Sequence, residues 1–252
     1  MMEPGDNGGR TSQVDSMVDS VAIAGAVARV RERMSEACRR AGRATDSVTL
    51  LAVSKFNPAE AVTAAWAAGV REFGENRVLE AESKLARLAG SLDGATFHLL
   101  GHLQSNKAKK AAMLFDCVQS IDSVEILVEL DRRASSIGKI VDVLFELHTG
   151  EESKSGFPDT DTMIKAIEFA AGLKSVRPRG VMTMAPYSDD RALVRASFRM
   201  CSAAFDRASR LLALPAFNVV SMGMTNDFET AIEEGSTMVR IGTAIFGRRV
   251  YQ

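Results

Sequence analysis

Ser47-Val48-Thr49-Leu50-Leu51-Ala52-Val53-Ser54-Lys55 is a run of apolar and β-branched residues that ends in a lone amine, just ahead of Asn57-Pro58. Near-continuous apolar patterning predicts a strand covered on both faces, as in a parallel sheet. A helix signal follows at once. Residues 59–68 are rich in alanine, Pro58 suits a first helical turn, Asn57 is the expected N-cap and Gly69 the stop. The stretch therefore reads as one strand-helix unit, and its repetition decides the fold. For Lys55 two readings stand side by side. Desolvation in a pocket would favour a neutral, nucleophilic amine able to form a Schiff base with a carbonyl; a strand-end lysine can equally snorkel to water.

Working outward, residues 21–41 place Ile23, Val27, Val30, Met34 and Ala37 at helical spacing among arginines, which predicts an amphipathic helix closing one end of the fold. Downstream, strand patterns at 71–76, 96–102, 117–122, 141–149, 176–184, 219–224 and 237–242 alternate with helical patterns. Ser123 is the expected cap of the helix that runs to Ala134. Eight such units in a chain of 252 residues predict an α/β fold built as a single (β/α)8 TIM barrel rather than a doubly wound sheet. Residues 1–20 lack an apolar core and read as a disordered leader, which leaves 21–252 as the barrel domain.

Bulk composition narrows the function. With 31 basic and 32 acidic residues the net charge is −1, which gives no electrostatic reason to expect nucleic acid or an anionic membrane as partner. Cys38, Cys117 and Cys201 lie far apart without a CxxC pair, so the expectation is a reducing, cytoplasmic setting and no disulfide framework. No apolar stretch reaches the roughly 18 residues a membrane helix needs.

Barrel chemistry sits at the C-terminal ends of the strands. Lys55, Asn76, His102, Thr149, Met184, Ser221 to Met224 and Arg240 to Thr243 all fall at such ends. After strands seven and eight, where barrels often hold a phosphate, the chain carries Ser221-Met222-Gly223-Met224-Thr225 and Gly242-Thr243-Ala244. An amine on strand one, an arginine on strand eight and these small-residue loops are compatible with an aldehyde-bearing aryl phosphate.

Leu51-Ala52-Val53-Ser54-Lys55, Phe73-Gly74-Glu75-Asn76, His98-Leu99-Leu100-Gly101-His102-Leu103-Gln104-Ser105-Asn106-Lys107, Glu151-Glu152-Ser153-Lys154-Ser155-Gly156, Ser221-Met222-Gly223-Met224 and the segment from Gly235 to Gly247 resemble the pyridoxal phosphate homeostasis protein family. The resemblance covers the chain after its leader. It implies a barrel like the N-terminal domain of alanine racemase, with pyridoxal 5′-phosphate (PLP) held covalently on Lys55 and a role in vitamin B6 homeostasis without an efficient reaction of its own. On the matched positions, Ser221, Gly242 and Thr243 are expected at the phosphate, Asn76 and Met222 along the ring, and Arg240 opposite the pyridine nitrogen. A guanidinium there leaves that nitrogen unprotonated and the ring a poor electron sink. The sequence departs from the family's pattern at strand five, where His148 replaces the usual asparagine and the turn is one residue shorter.

The alternatives are an amino-acid racemase using the same cofactor, or a Schiff-base aldolase on the same scaffold. Racemization needs acid/base groups on both faces of the substrate. Only two tyrosines are present, Tyr187 and Tyr251, and too few residues follow Gly247 for a second domain. The expected partners are PLP and cofactor-free PLP enzymes, and the expected state is a monomer. His98 and His102, four residues apart and so on one face of a strand, form a conceivable metal pair set against ordinary structural roles. Lys107, Lys109 and Lys110 read as a solvated helix face, and Lys154 as a loop salt bridge, a second aldehyde-capture point or a gate.

Overall fold

A computed structural model describes residues 18–150 and 155–247. The chain begins with α1 (Ser20–Arg40), followed by β1 (Thr49–Val53), α2 (Ala59–Ala67), β2 (Glu72–Glu75), α3 (Val78–Leu88) and β3 (Thr96–Leu99). A short 3-10 turn then leads into α4 (Ala108–Leu114), β4 (Cys117–Ile121), α5 (Val124–Ser135), β5 (Val141–Glu146) and α6 (Thr160–Ala171). The last part holds β6 (Val176–Met182), α7 (Arg191–Leu212), β7 (Val219–Ser221), α8 (Phe228–Glu233), β8 (Met238–Ile241) and α9 (Thr243–Phe246). All strand pairs are parallel, and β8 closes on β1 through Leu51 opposite Arg240, giving a closed eight-stranded barrel.

The two faces of each strand do different jobs. On β1, Leu50 and Ala52 face outward into an apolar layer shared with α1, α2 and β8, whereas Leu51 and Val53 point inward beside Met238 and Leu100. This alternation leaves Lys55, next in the inward series, at the mouth. A second outer layer packs α4 to α7 against the other strands around Phe115, Phe145 and Phe198. Together these layers supply the burial that stabilises the barrel.

The helix α1 does not close an end of the barrel, as its sequence suggested. It lies in the outer ring between α2 and α8, covering β1 and β8 with Ile23, Val27, Val30, Met34 and Ala37. The reason is the brevity of α9, whose four residues cannot cover the last strand. Asp19 caps α1 by accepting from Ala22 N at 2.9 Å, and Asp159 and Asp190 do the same for α6 and α7. Asn57 does not cap α2. Pro58 takes that position, and the Asn57 side chain instead donates to the Lys55 carbonyl at 3.1 Å. Ser123 sits at the N-cap of α5 but makes no side-chain capping bond.

Candidate functional site

Three anchored contacts present Lys55. Lys84 Nζ, on α3, donates to the Ser54 carbonyl at 2.7 Å and to Glu75 Oε1 at 2.6 Å, while Ser54 Oγ donates to the same carboxylate oxygen at 2.6 Å. Phe56 N donates to Glu80, and Phe56 adopts a left-handed φ of 64°. A bulky residue rarely takes that conformation, so the turn that carries the amine is held against local preference by its surroundings. Burial raises the Glu75 carboxyl above its usual value, opposed by the Lys84 ammonium.

The half-buried Lys55 opens onto a cleft of about 770 Å3 at the C-terminal ends of the strands. Val53, Arg240, Gly242 and Thr243 line the same cleft, as does the segment Ala185 to Asp189 after β6. Its outer part runs between α7 and α8, where Arg195 bonds Glu233 and Glu234 and Arg40 bonds Glu233. Arg240, only 5% exposed, donates to Ser221 Oγ at 2.9 Å and to the Thr183 carbonyl at 2.8 Å. Burial lowers the affinity of this guanidinium for its proton, and Asp227 and Glu146 act the other way. Asp227, itself raised by burial, receives Met224 N at 2.5 Å and so shapes the loop after β7.

Of the residues singled out in the sequence, Lys55, Arg240, Gly242 and Thr243 therefore come together. Asn76 stands at the end of β2, half-buried, its carbonyl pressed against Gly101. Ser221 and Met222 lie deeper than the residues that line the cleft. The Ser221 hydroxyl is fully buried, accepting from Arg240 and donating to Gln119 Oε1 at 2.7 Å, so it supports the arginine. Met222 is also fully buried, in the outer apolar layer. Its N–H donates to Met238 O and its carbonyl accepts from Ser236 Oγ. Gly223, φ 92°, turns the chain there, and a Cβ on it would lie 2.5 Å from Ala231 Cβ.

The other histidine and lysine signals resolve separately. His98 points into the barrel between Glu72 and Gln119, while His102 lies beyond β3, exposed and bonded to Asp122 at 2.9 Å, so they do not converge. Lys110 pairs with Glu82 on the surface. Lys154, Tyr251 and the leader up to residue 17 lie outside the described residues. Two groups were missed in the sequence. Gln119 was visible as the lone amide on the inward face of an apolar strand. Lys84 was visible as a lysine on the apolar stripe of α3 shared with Val78, Ala81 and Leu88.

A parallel barrel with an amine on its first strand and a buried guanidinium on its last defines a class, and the comparisons agree. Residues 26–250 match the family model described as alanine racemase, N-terminal domain. The pyridoxal phosphate homeostasis protein of Escherichia coli K12 is 39% identical over 235 residues, 91% of this chain and 97% of that one. That of Aquifex aeolicus is 37% identical over 227 residues, 89% of this chain and 97% of its own. The solved structure of PipY from Synechococcus elongatus, with PLP bound, superposes with a TM-score of 0.78 at 36% identity, covering 89% of this chain and all of that one. The chain belongs to the pyridoxal phosphate homeostasis protein family.

Proposed function

We propose that this chain is a PLP-binding protein of vitamin B6 homeostasis, with Lys55 as the covalent anchor and no efficient reaction of its own. The observation that carries the reading is that Lys55, Arg240, Gly242 and Thr243 line one cleft. The donor set suits the cofactor: an amine for its aldehyde, a hydroxyl and small-residue backbone for its phosphate, and a cation for its ring nitrogen. When bound, the cofactor supplies an aldehyde that captures amines and a ring that withdraws electrons.

The residues divide that work. Lys55 would hold the aldehyde end, Thr243 and Gly242 the phosphate end, and Asn76, just past β2, would flank the ring. The Arg240 guanidinium, a donor with no acceptor, would leave the ring nitrogen unprotonated and so would weaken electron withdrawal. Tyr187 lines the cleft but is fully exposed, so its hydroxyl is solvated and poorly suited to proton transfer on a substrate. A cytoplasmic setting and cofactor-free PLP enzymes as recipients complete the proposal. Among the described residues no helix is long and apolar enough to cross a membrane.

The experiment is direct. The loaded protein is expected to be yellow, with a visible band abolished by borohydride and one cofactor fixed on Lys55. Lys55→Ala is expected to lose that band while keeping its far-ultraviolet circular dichroism, because one amine at the mouth contributes little to the core. A variant that retained a full equivalent of reducible cofactor would overturn the assignment of Lys55. An aldolase would instead be colourless until offered a carbonyl substrate.

A further inference from the structure

Below the cleft, a chain of side-chain hydrogen bonds runs through the barrel interior. Arg240 donates to Ser221 Oγ at 2.9 Å, and Ser221 Oγ to Gln119 Oε1 at 2.7 Å. Gln119 Nε2 meets His98 Nδ1 at 2.9 Å, and His98 Nε2 meets Glu72 Oε2 at 2.6 Å. The first four residues are at most 5% exposed, and Glu72 is half-buried. Each comes from a different strand: β8, β7, β4, β3 and β2.

Donor chemistry gives this chain one direction. A guanidinium only donates, so Ser221 Oγ receives at Arg240 and must send its own hydrogen elsewhere; Gln119 Oε1 is the acceptor it meets. The amide nitrogen then faces His98 Nδ1. It also lies 3.2 Å from Met238 Sδ, a weak acceptor that would repel an oxygen placed there. An amide nitrogen cannot accept, so His98 Nδ1 is the unprotonated atom. The ring hydrogen then sits on Nε2, facing Glu72 Oε2. Reversing the Gln119 amide would leave the Ser221 hydrogen facing N–H groups and an oxygen facing the sulfur.

We infer that Gln119 is a positioning residue for Arg240: acting through Ser221, and held in one amide orientation by His98 Nδ1, it fixes the plane in which the guanidinium meets the cofactor's ring nitrogen. The inference rests on the proposed placement of Arg240 opposite that nitrogen. Arg240 has two fixed acceptors, Ser221 Oγ and the Thr183 carbonyl. Without Gln119 the Ser221 hydroxyl loses its own acceptor and turns, leaving the guanidinium one fixed partner and freedom to tilt. Buried polar chains respond as units, so the effect is expected to reach the cofactor even though Gln119 does not line the cleft.

The test compares Gln119→Leu, Arg240→Gln and the double variant as PLP-loaded proteins. The reading is the pH titration of the bound cofactor's visible band, alongside borohydride-reducible stoichiometry. Gln119→Leu is expected to keep one reducible equivalent, since Lys55 is untouched, and to move the titration midpoint by about one pH unit, a tenfold change in proton affinity. The double variant is expected to titrate like Arg240→Gln alone, because the two residues act through one contact. An unmoved midpoint in Gln119→Leu, or a displacement that adds in full to that of Arg240→Gln, overturns the role of Gln119 alone. An unmoved midpoint in Arg240→Gln overturns the placement of Arg240, and the inference with it. Should Gln119→Leu not fold, Ser221→Ala replaces it with the same expected and contrary results. In the unmutated, cofactor-free protein, nitrogen-15 NMR of the histidine side chains is expected to show His98 as the neutral Nε2–H form. An Nδ1–H form or an imidazolium at neutral pH overturns the direction of the chain.

Discussion

A single atom of approach separates Asn76 from the loop after β3. A Cβ built on Gly101 would lie 2.2 Å from the Asn76 carbonyl oxygen, far inside contact distance, and Ser120 Oγ donates to the Gly101 carbonyl at 2.7 Å from the other side. The atoms such a Cβ would meet are all Asn76 backbone. Gly101→Ala must therefore displace backbone at the mouth, and overpacking of this kind costs about 1–3 kcal/mol. The expected outcome is a lower Tm together with weaker PLP binding, because the displaced strand end carries Asn76. A variant with wild-type affinity and reduced Tm would show that Asn76 does not flank the ring. At this scale the sequence was informative where chemistry stood out against its surroundings, as Lys55 does at the end of an apolar strand. It was uninformative where a residue's role depends on a distant partner. Nothing near Ser221 or Gln119 in sequence announces that they meet across 102 positions.

Between elements, the buried pair of Lys84 and Glu75 joins α3 to β2 and the Lys55 turn. Lys84 is 6% exposed and Glu75 1%, and Glu75 Oε2 has no hydrogen-bond partner. Removing one member of a buried pair leaves the other charge uncompensated, at a cost of about 3–5 kcal/mol. Lys84→Met is expected to destabilise by that order at neutral pH. Burial already raises Glu75 above its usual 4.5, and the variant loses the ammonium that opposes the rise. A carboxyl whose folded value is raised contributes fully below its unfolded value and loses that contribution as pH climbs through the folded one. The gap between variant and wild type is therefore expected to narrow on acidification towards pH 4.5, and urea denaturation across that range reads it. A gap independent of pH would mean that Glu75 is not the charge left behind. Strand-helix alternation itself was legible, because buried parallel strands read as apolar runs and the helices as amphipathic stripes. Strand ends were drawn too long: β7 has three residues and β3 four, since the barrel's ladder stops where the chain turns into the cleft. The place of α1 was not legible, because an amphipathic stripe states that one face is covered but not by which strands.

For the molecule as a whole, the cleft draws Lys55 from the first strand, Arg240 from the last and Thr243 from the helix after it, so one chain contributes every group assigned to the cofactor. We therefore predict a monomer of 27.1 kDa. Ligand linkage gives this a sharp test. Free cofactor at about a hundred times its Kd stabilises the folded state by about 2.7 kcal/mol. In a chain of this size each kcal/mol moves Tm by about 2–4 °C, so loading is expected to raise Tm by about 5–10 °C. In a monomer that rise, and the Tm of the cofactor-free protein, do not depend on protein concentration, whereas a dimer coupled to folding melts higher as concentration increases. Calorimetry over a hundredfold range of protein concentration, with sedimentation on the same samples, therefore reads site and assembly together. A concentration-dependent Tm in the cofactor-free protein would refute the monomer. A concentration-dependent rise on loading alone would show that the cofactor bridges chains and that the cleft is incomplete in one.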